Sequence, residues 1–206
     1  MALAAVSRRS MSRSLHFGLL LALLSVTAGP AFAHSENGVA IDFVGGFTHP
    51  IFGPDHVVAM VAVGLWGAFL GMPAIWLLPV VFPLVMAIAG AFGVLGVPLP
   101  GVETGIALSA IALGGMVAFA AKPPLSVAAV LVGAFAVFHG HAHGAELPVG
   151  ADAIAYSMGF VIATGMLHVS GIAFGALSRW PAGRIAVRAM GAVIAVIGFA
   201  YLGHFI

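Results

Sequence analysis

Two groups of histidines in this chain stand beside carboxylates at spacings suited to holding a cation. The first is His49-Pro50-Ile51-Phe52-Gly53-Pro54-Asp55-His56, which sets two imidazoles and a carboxylate ahead of the apolar run Val57–Leu70. The second is Phe138-His139-Gly140-His141-Ala142-His143-Gly144-Ala145-Glu146, at the end of another apolar run. Pro54 suits a first helical position, where a missing N–H costs nothing. Asp55 and His56 then occupy the opening turn, and the breakers Pro50 and Gly53 let His49 turn back toward them. In the second group His139, His143 and Glu146 recur at helical spacing and share one face, while His141 points elsewhere. A helix carboxyl end also favours a cation. The chain has no cysteine, so ligands come from His, Asp, Glu, Met or backbone oxygen, which suits nickel, cobalt or zinc. The expectation is that the two groups meet and bind one divalent cation through His49, Asp55, His56, His139, His143 and Glu146. The plainer alternatives are a helix-capping Asp55 beside locally bonded histidines, and a solvated His-rich loop.

The elements that must position these groups are membrane helices. The chain has 206 residues, of which 62% are hydrophobic and only 6% charged, with a mean hydropathy of +1.19. Soluble domains carry roughly 25% charged residues, so this chain cannot cover itself with a wettable surface. The expected fold class is all-α: a polytopic membrane helix bundle of six transmembrane helices after a cleaved signal peptide. Arg8, Arg9 and Arg13, the apolar stretch Leu15–Val26 and Ala31-Phe32-Ala33 fit a secretory leader over residues 1–33, leaving 34–206 as one membrane domain. Spans of about 20 residues are expected at Pro54–Leu70, Ala74–Leu95, Thr104–Ala121, Leu125–His139, Ile154–Leu177 and Ile185–Phe205. The segment Val39–Phe47 is too short to cross and reads as a half-helix or re-entrant piece before the first span. Glycines such as Gly90, Gly93 and Gly96 suggest close helix approach.

Charge sets the expected orientation. With the mature amino terminus outside, Lys122, Arg179, Arg184 and Arg188 fall at inside connections, as the positive-inside rule requires. Glu36, Asp42, Glu103, Glu146 and Asp152 fall outside. Both histidine groups then lie at the outer mouth of their spans, at one depth. Beyond the leader, four basic residues face six acidic ones, so no basic patch is left for nucleic acid. Lys122 is followed by Pro123-Pro124, which gives no phosphate-binding loop.

Ionisable groups at membrane depth are rare unless they pair, line a path or hold an ion. His34, Asp42, His141 and His168 are therefore secondary candidates for the metal or its pathway. Imidazole protonation should compete with metal on acidification. Two other functions fit buried His and Asp: an intramembrane metal-dependent hydrolase and bis-histidine haem binding.

At the two motifs the sequence resembles the HupE/UreJ family of nickel/cobalt permeases, membrane proteins associated with hydrogenase and urease gene clusters. His49, Asp55 and His56 match one family pattern; Phe138, His139, Gly140, His143, Gly144 and Glu146 match the other. The resemblance covers the mature chain and implies uptake of Ni²⁺, or Co²⁺, across the bacterial cytoplasmic membrane to supply a metalloenzyme. It implies no enzyme activity and no organic cofactor, with the metal ion and the bilayer as partners. A homo-oligomer is compatible with this reading.

Overall fold

The computed structural model describes residues 43–147 and 150–203. The expected leader, His34, Asp42 and the last residues, Phe205 among them, lie outside that range. The described chain is helical throughout: α1 Phe43–Phe52, α2 Pro54–Leu70, α3 Ala74–Val94, α4 Val102–Ala118, α5 Leu125–Ala145, α6 Ala153–Gly175, a 3₁₀ turn Ala176–Arg179, and α7 Pro181–Leu202. Among the described residues there is no strand.

Local chemistry accounts for the breaks. Pro54 and Pro181 open α2 and α7 at their first turns, where proline costs no hydrogen bond. The Asp152 side chain accepts from the backbone N–H groups of Ile154 and Ala155 at the start of α6, an N-cap. Gly101, ahead of α4, has φ +73°, a conformation that disfavours a side chain.

Three expected boundaries move by four residues or more. The half-helix runs on through Pro50 to Phe52, so His49 is helical and is not carried by a turn. The break falls at Gly53 alone, whose ψ of 103° is extended, and there α1 and α2 bend by 80°. The span that the sequence ends at His139 continues to Ala145, because its polar residues are buried against other helices and Gly140 and Gly144 bring the backbone onto Met86 and Gly90 of α3. The last helix begins four residues earlier than expected, at Pro181. Gly96, expected in a helix contact, is instead a turn residue with φ +70° and open space around it.

α2 is the centre of the bundle. Ala59, Met60, Ala62, Val63, Leu65 and Trp66 are fully buried, so almost every face of this helix meets protein. α6 lies along it, and their backbones close at Gly64 against the His168 carbonyl and at Gly171 against the Val61 carbonyl. α3 pairs with α5, α4 with α7, and α1 packs on α6. Small residues at such crossings let helices approach where no hydrophobic drive favours helix over lipid.

The outward faces are apolar: Val80, Leu84 and Ile88 on α3, and Val193, Val196 and Phe199 on α7, are exposed. Among the described residues, four helices are long and apolar enough to cross a membrane: α3, α5, α6 with its 3₁₀ extension, and α7. The bent α1–α2 pair passes jointly as a fifth, and α4 is a shorter apolar helix. Charge segregates to opposite ends. Lys122 lies 5.0 Å from the Phe69 ring near the end of α2, and Arg188 donates to the Ala118 carbonyl at 2.8 Å. Glu103, Glu146 and Asp152 stand at the other end, where α4 begins, α5 stops and α6 begins.

Candidate metal centre

The acidic end of the bundle holds a cluster of imidazoles drawn from three helices. The last turn of α1 supplies His49, the first turn of α2 supplies Asp55 and His56, and α5 supplies His139 and His143. The 80° bend at Gly53 is what aims His49 at His56. Their ring centroids are 5.8 Å apart, His49 and His143 are 4.9 Å apart, and His56 and His143 are 4.2 Å apart. One nitrogen from each of His49, His56 and His143 lies within 4.8 Å of the others. Two nitrogens on one ion, with bonds of about 2.0–2.1 Å, can be separated by at most ~4.2 Å. Any pair near the wider limit therefore needs to close by only about half an ångström.

Burial gives this cluster its chemical pressure. His56, His139 and His143 are buried and His49 is half-buried. Both ring nitrogens of His56, both of His143 and Nδ1 of His139 have no aligned hydrogen-bond partner among the described residues. A buried polar atom left without a partner costs roughly 1–3 kcal/mol; His56 Nδ1 has the Asp55 carboxylate beside it, and the other four together favour a shared counter-group. Lone pairs converging from three helices suit a cation.

The surrounding groups differ in what they do. Asp55 Oδ1 is 2.9 Å from His56 Nδ1, close enough for an ion pair although not aligned as a hydrogen bond. A carboxylate on Nδ1 orients the ring and leaves Nε2 to face a metal. His139 is fixed from the other side. Ser109 Oγ donates to the Ile106 carbonyl at 2.6 Å and sits 2.9 Å from His139 Nε2. Its proton being committed, the hydroxyl can only accept from Nε2–H, which leaves the Nδ1 lone pair free. His139 meets the triad through His56, at 5.3 Å between ring centroids. Phe160 of α6 closes the cluster, 4.2 Å from the His143 ring, with Tyr156 beside His49 at 6.3 Å.

Of the expected ligand residues, the structure brings His49, His56 and His143 into one group, with Asp55 and His139 in contact with it. Glu146 is exposed and caps the end of α5, its N–H bonding the Ala142 carbonyl at 2.9 Å. It is not one of the three residues whose ligand atoms lie within 4.8 Å of one another. His141 faces away, as its helical position requires, and its Nε2 lies 2.6 Å from the Val97 carbonyl, tying α5 to the connection after α3. His168 is buried on α6 away from the triad, against Phe82. Sequence reasoning missed Ser109, Phe82, Phe160 and Thr164. A lone serine or threonine in an apolar run has no signature of its own, and a phenylalanine there reads as core.

The HupE / UreJ protein family profile matches residues 21–201. Protein HupE of Rhizobium leguminosarum bv. viciae is 46% identical over 180 residues, covering 87% of this chain and 94% of that protein. No solved structure matches significantly. With a profile match over most of its length and a near-full-length relative at this identity, the chain belongs to the HupE/UreJ family.

Proposed function

We propose that this protein carries divalent nickel, with cobalt as the second candidate, across the bacterial cytoplasmic membrane to supply a metalloenzyme such as hydrogenase or urease. The observation that carries the reading is the triad of half-buried His49 with buried His56 and His143, whose ligand nitrogens converge from three helices. Three imidazoles suit a borderline ion better than Mg²⁺ or Ca²⁺, which take oxygen ligands. His139 and Asp55 complete the set, the first as an added ligand with its tautomer held by Ser109, the second as the group orienting His56. Glu146, exposed at the helix end, attracts the hydrated ion from the aqueous side.

In this reading α1–α2 is one broken crossing, and with α3, α4, α5, α6 and α7 it makes six. α4, at 17 residues, reaches about 25 Å at 1.5 Å per residue, within the short end of membrane-spanning lengths. A half-helix, a break and a full helix around an ion is how transporters expose polar groups at depth. The segregation of Lys122, Arg179, Arg184 and Arg188 to the end opposite the triad supports a triad that faces outside. The leader at residues 1–33 would deliver the mature amino terminus to that side. The ion exchanges water for imidazole at the outer mouth and then moves inward between helices. No catalytic role is assigned to the protein, since on this reading the cation is its substrate and leaves unchanged.

The test is accumulation of radioactive nickel by cells expressing the chain, with cobalt and zinc as competitors. Alanine at His49, His56 or His143 should abolish accumulation at normal membrane levels of protein. Undiminished accumulation in those variants would remove the triad from the mechanism, and absence of nickel accumulation with the parent chain would remove the function.

A further inference from the structure

Below the triad, α6 carries a second set of polar groups that the outer site does not use. Phe160 contacts His143; Thr164 and His168 follow at one-turn intervals on the same face. Thr164 is fully buried and His168 is 1% exposed. Thr164 Oγ1 and both ring nitrogens of His168 have no aligned hydrogen-bond partner among the described residues. Two helices agree on the depth of His168. Gly64 of α2 receives its carbonyl and stands eight residues below His56. His168 likewise stands eight residues below Phe160. Each gives about 12 Å along the helix at 1.5 Å per residue.

α3 supplies what stands opposite. Pro79 and Pro83 both lie inside this helix. A helical residue 83 would normally donate its N–H to the carbonyl of residue 79, and proline has none to give. The Pro79 carbonyl is thereby released from the helix ladder, and it is near enough to the His168 ring to interact with it as a backbone acceptor, though not as an aligned hydrogen bond. Between the prolines sits Phe82, fully buried, with its ring centroid 5.5 Å from His139 and 5.7 Å from His168. One aromatic ring thus touches the lowest imidazole of the outer cluster and the imidazole beneath it.

We propose that His168, Thr164 and the Pro79 carbonyl form a second, inner station for the divalent cation, separated from the outer cluster by the Phe82 ring. This rests on the nickel-carrier reading above. One imidazole, one hydroxyl and one carbonyl make a weaker site than the outer imidazole group. A pathway needs that order, since each site must bind well enough to fill and weakly enough to empty. The prolines flanking Phe82 leave its stretch of α3 short of ladder hydrogen bonds, so its ring can swing aside with less helix to disturb.

The experiment uses the purified full-length chain in lipid vesicles, with nickel chloride alone as probe, and measures both equilibrium binding and flux. His168→Gln should leave nickel affinity at the outer cluster and the KM for flux within about twofold of the parent, while lowering kcat about tenfold or more. Thr164→Val should move the same parameter in the same direction by less. Parent-like kcat in His168→Gln overturns the inner station and leaves the outer triad standing. Loss of equilibrium affinity as large as that of His56→Ala also overturns it, because His168 would then be part of the outer site's support. If His168→Gln does not accumulate, Thr164→Val decides by the same criteria. Absence of saturable nickel binding by the parent chain overturns the carrier reading itself, and the inner station with it.

Discussion

Ser109→Ala isolates the contribution of a residue that, on the proposed reading, orients a metal ligand without touching the ion. Ser109 is fully buried, and its hydroxyl sits 2.9 Å from His139 Nε2 with its own proton spent on Ile106. Removing the oxygen leaves Nε2–H buried without an acceptor, at a cost of roughly 1–3 kcal/mol. The ring can recover part of that by switching tautomer or rotating, and either change withdraws the Nδ1 lone pair from the cluster. Loss of such an outer partner commonly weakens metal affinity by about 10–100-fold, or roughly 1.4–2.7 kcal/mol. The helix itself loses only a back-bond to Ile106, so folding and membrane insertion should persist. Nickel titration of purified Ser109→Ala should therefore show weakened affinity with full protein yield, and Ser109→Thr, which keeps the oxygen, should recover part of it. Affinity within about twofold of the parent in Ser109→Ala would show that His139 is not held for metal and that the tautomer argument is wrong.

Three other expectations follow from particular contacts. Asp55→Asn keeps the shape beside His56 but removes the charge 2.9 Å from Nδ1, and should weaken nickel binding about tenfold; a titration shows it directly. His141→Ala should leave nickel uptake and affinity unchanged while removing the bond to Val97, worth about 0.5–1.5 kcal/mol, read as a small drop in thermal midpoint. Gly64→Ala places a methyl group against the His168 carbonyl, and such overpacking typically costs about 1–3 kcal/mol. It should reduce the amount of folded protein in the membrane, measured by quantitative blotting or fluorescence-monitored chromatography.

The sequence and the structure agree most where chemistry leaves few choices. Pro54 at the head of α2, the short segment ahead of it and the rotation of His141 away from His139 and His143 all follow from helix geometry. The prolines and glycines between apolar runs mark the connections. What could not be read was how far α5 extends. Histidine in an apolar run looks like the end of a span, and only packing against Phe82 of α3, Ser109 of α4, Phe160 of α6 and the imidazoles of α1 and α2 makes His139 and His143 interior residues. For the same reason Pro50 reads as a breaker, whereas α1 tolerates it near its carboxyl end and bends at Gly53. Gly90 and Gly93 do meet another helix, but Gly96 adopts a positive φ that composition alone does not distinguish. Ser109, Thr164 and Phe82 acquire meaning only from what lies beside them in space. Residues 1–42, 148–149 and 204–206, with the expected leader, His34 and Asp42, fall outside the described residues.

X-ray absorption at the nickel edge of the purified chain loaded with one equivalent of nickel reads the coordination sphere itself. A sphere with at least three imidazole ligands, falling by one in His143→Ala and again by one when His49→Ala is added, is the expected result. A sphere of oxygen ligands alone, or one unchanged by both substitutions, would contradict a cage assembled from α1, α2 and α5.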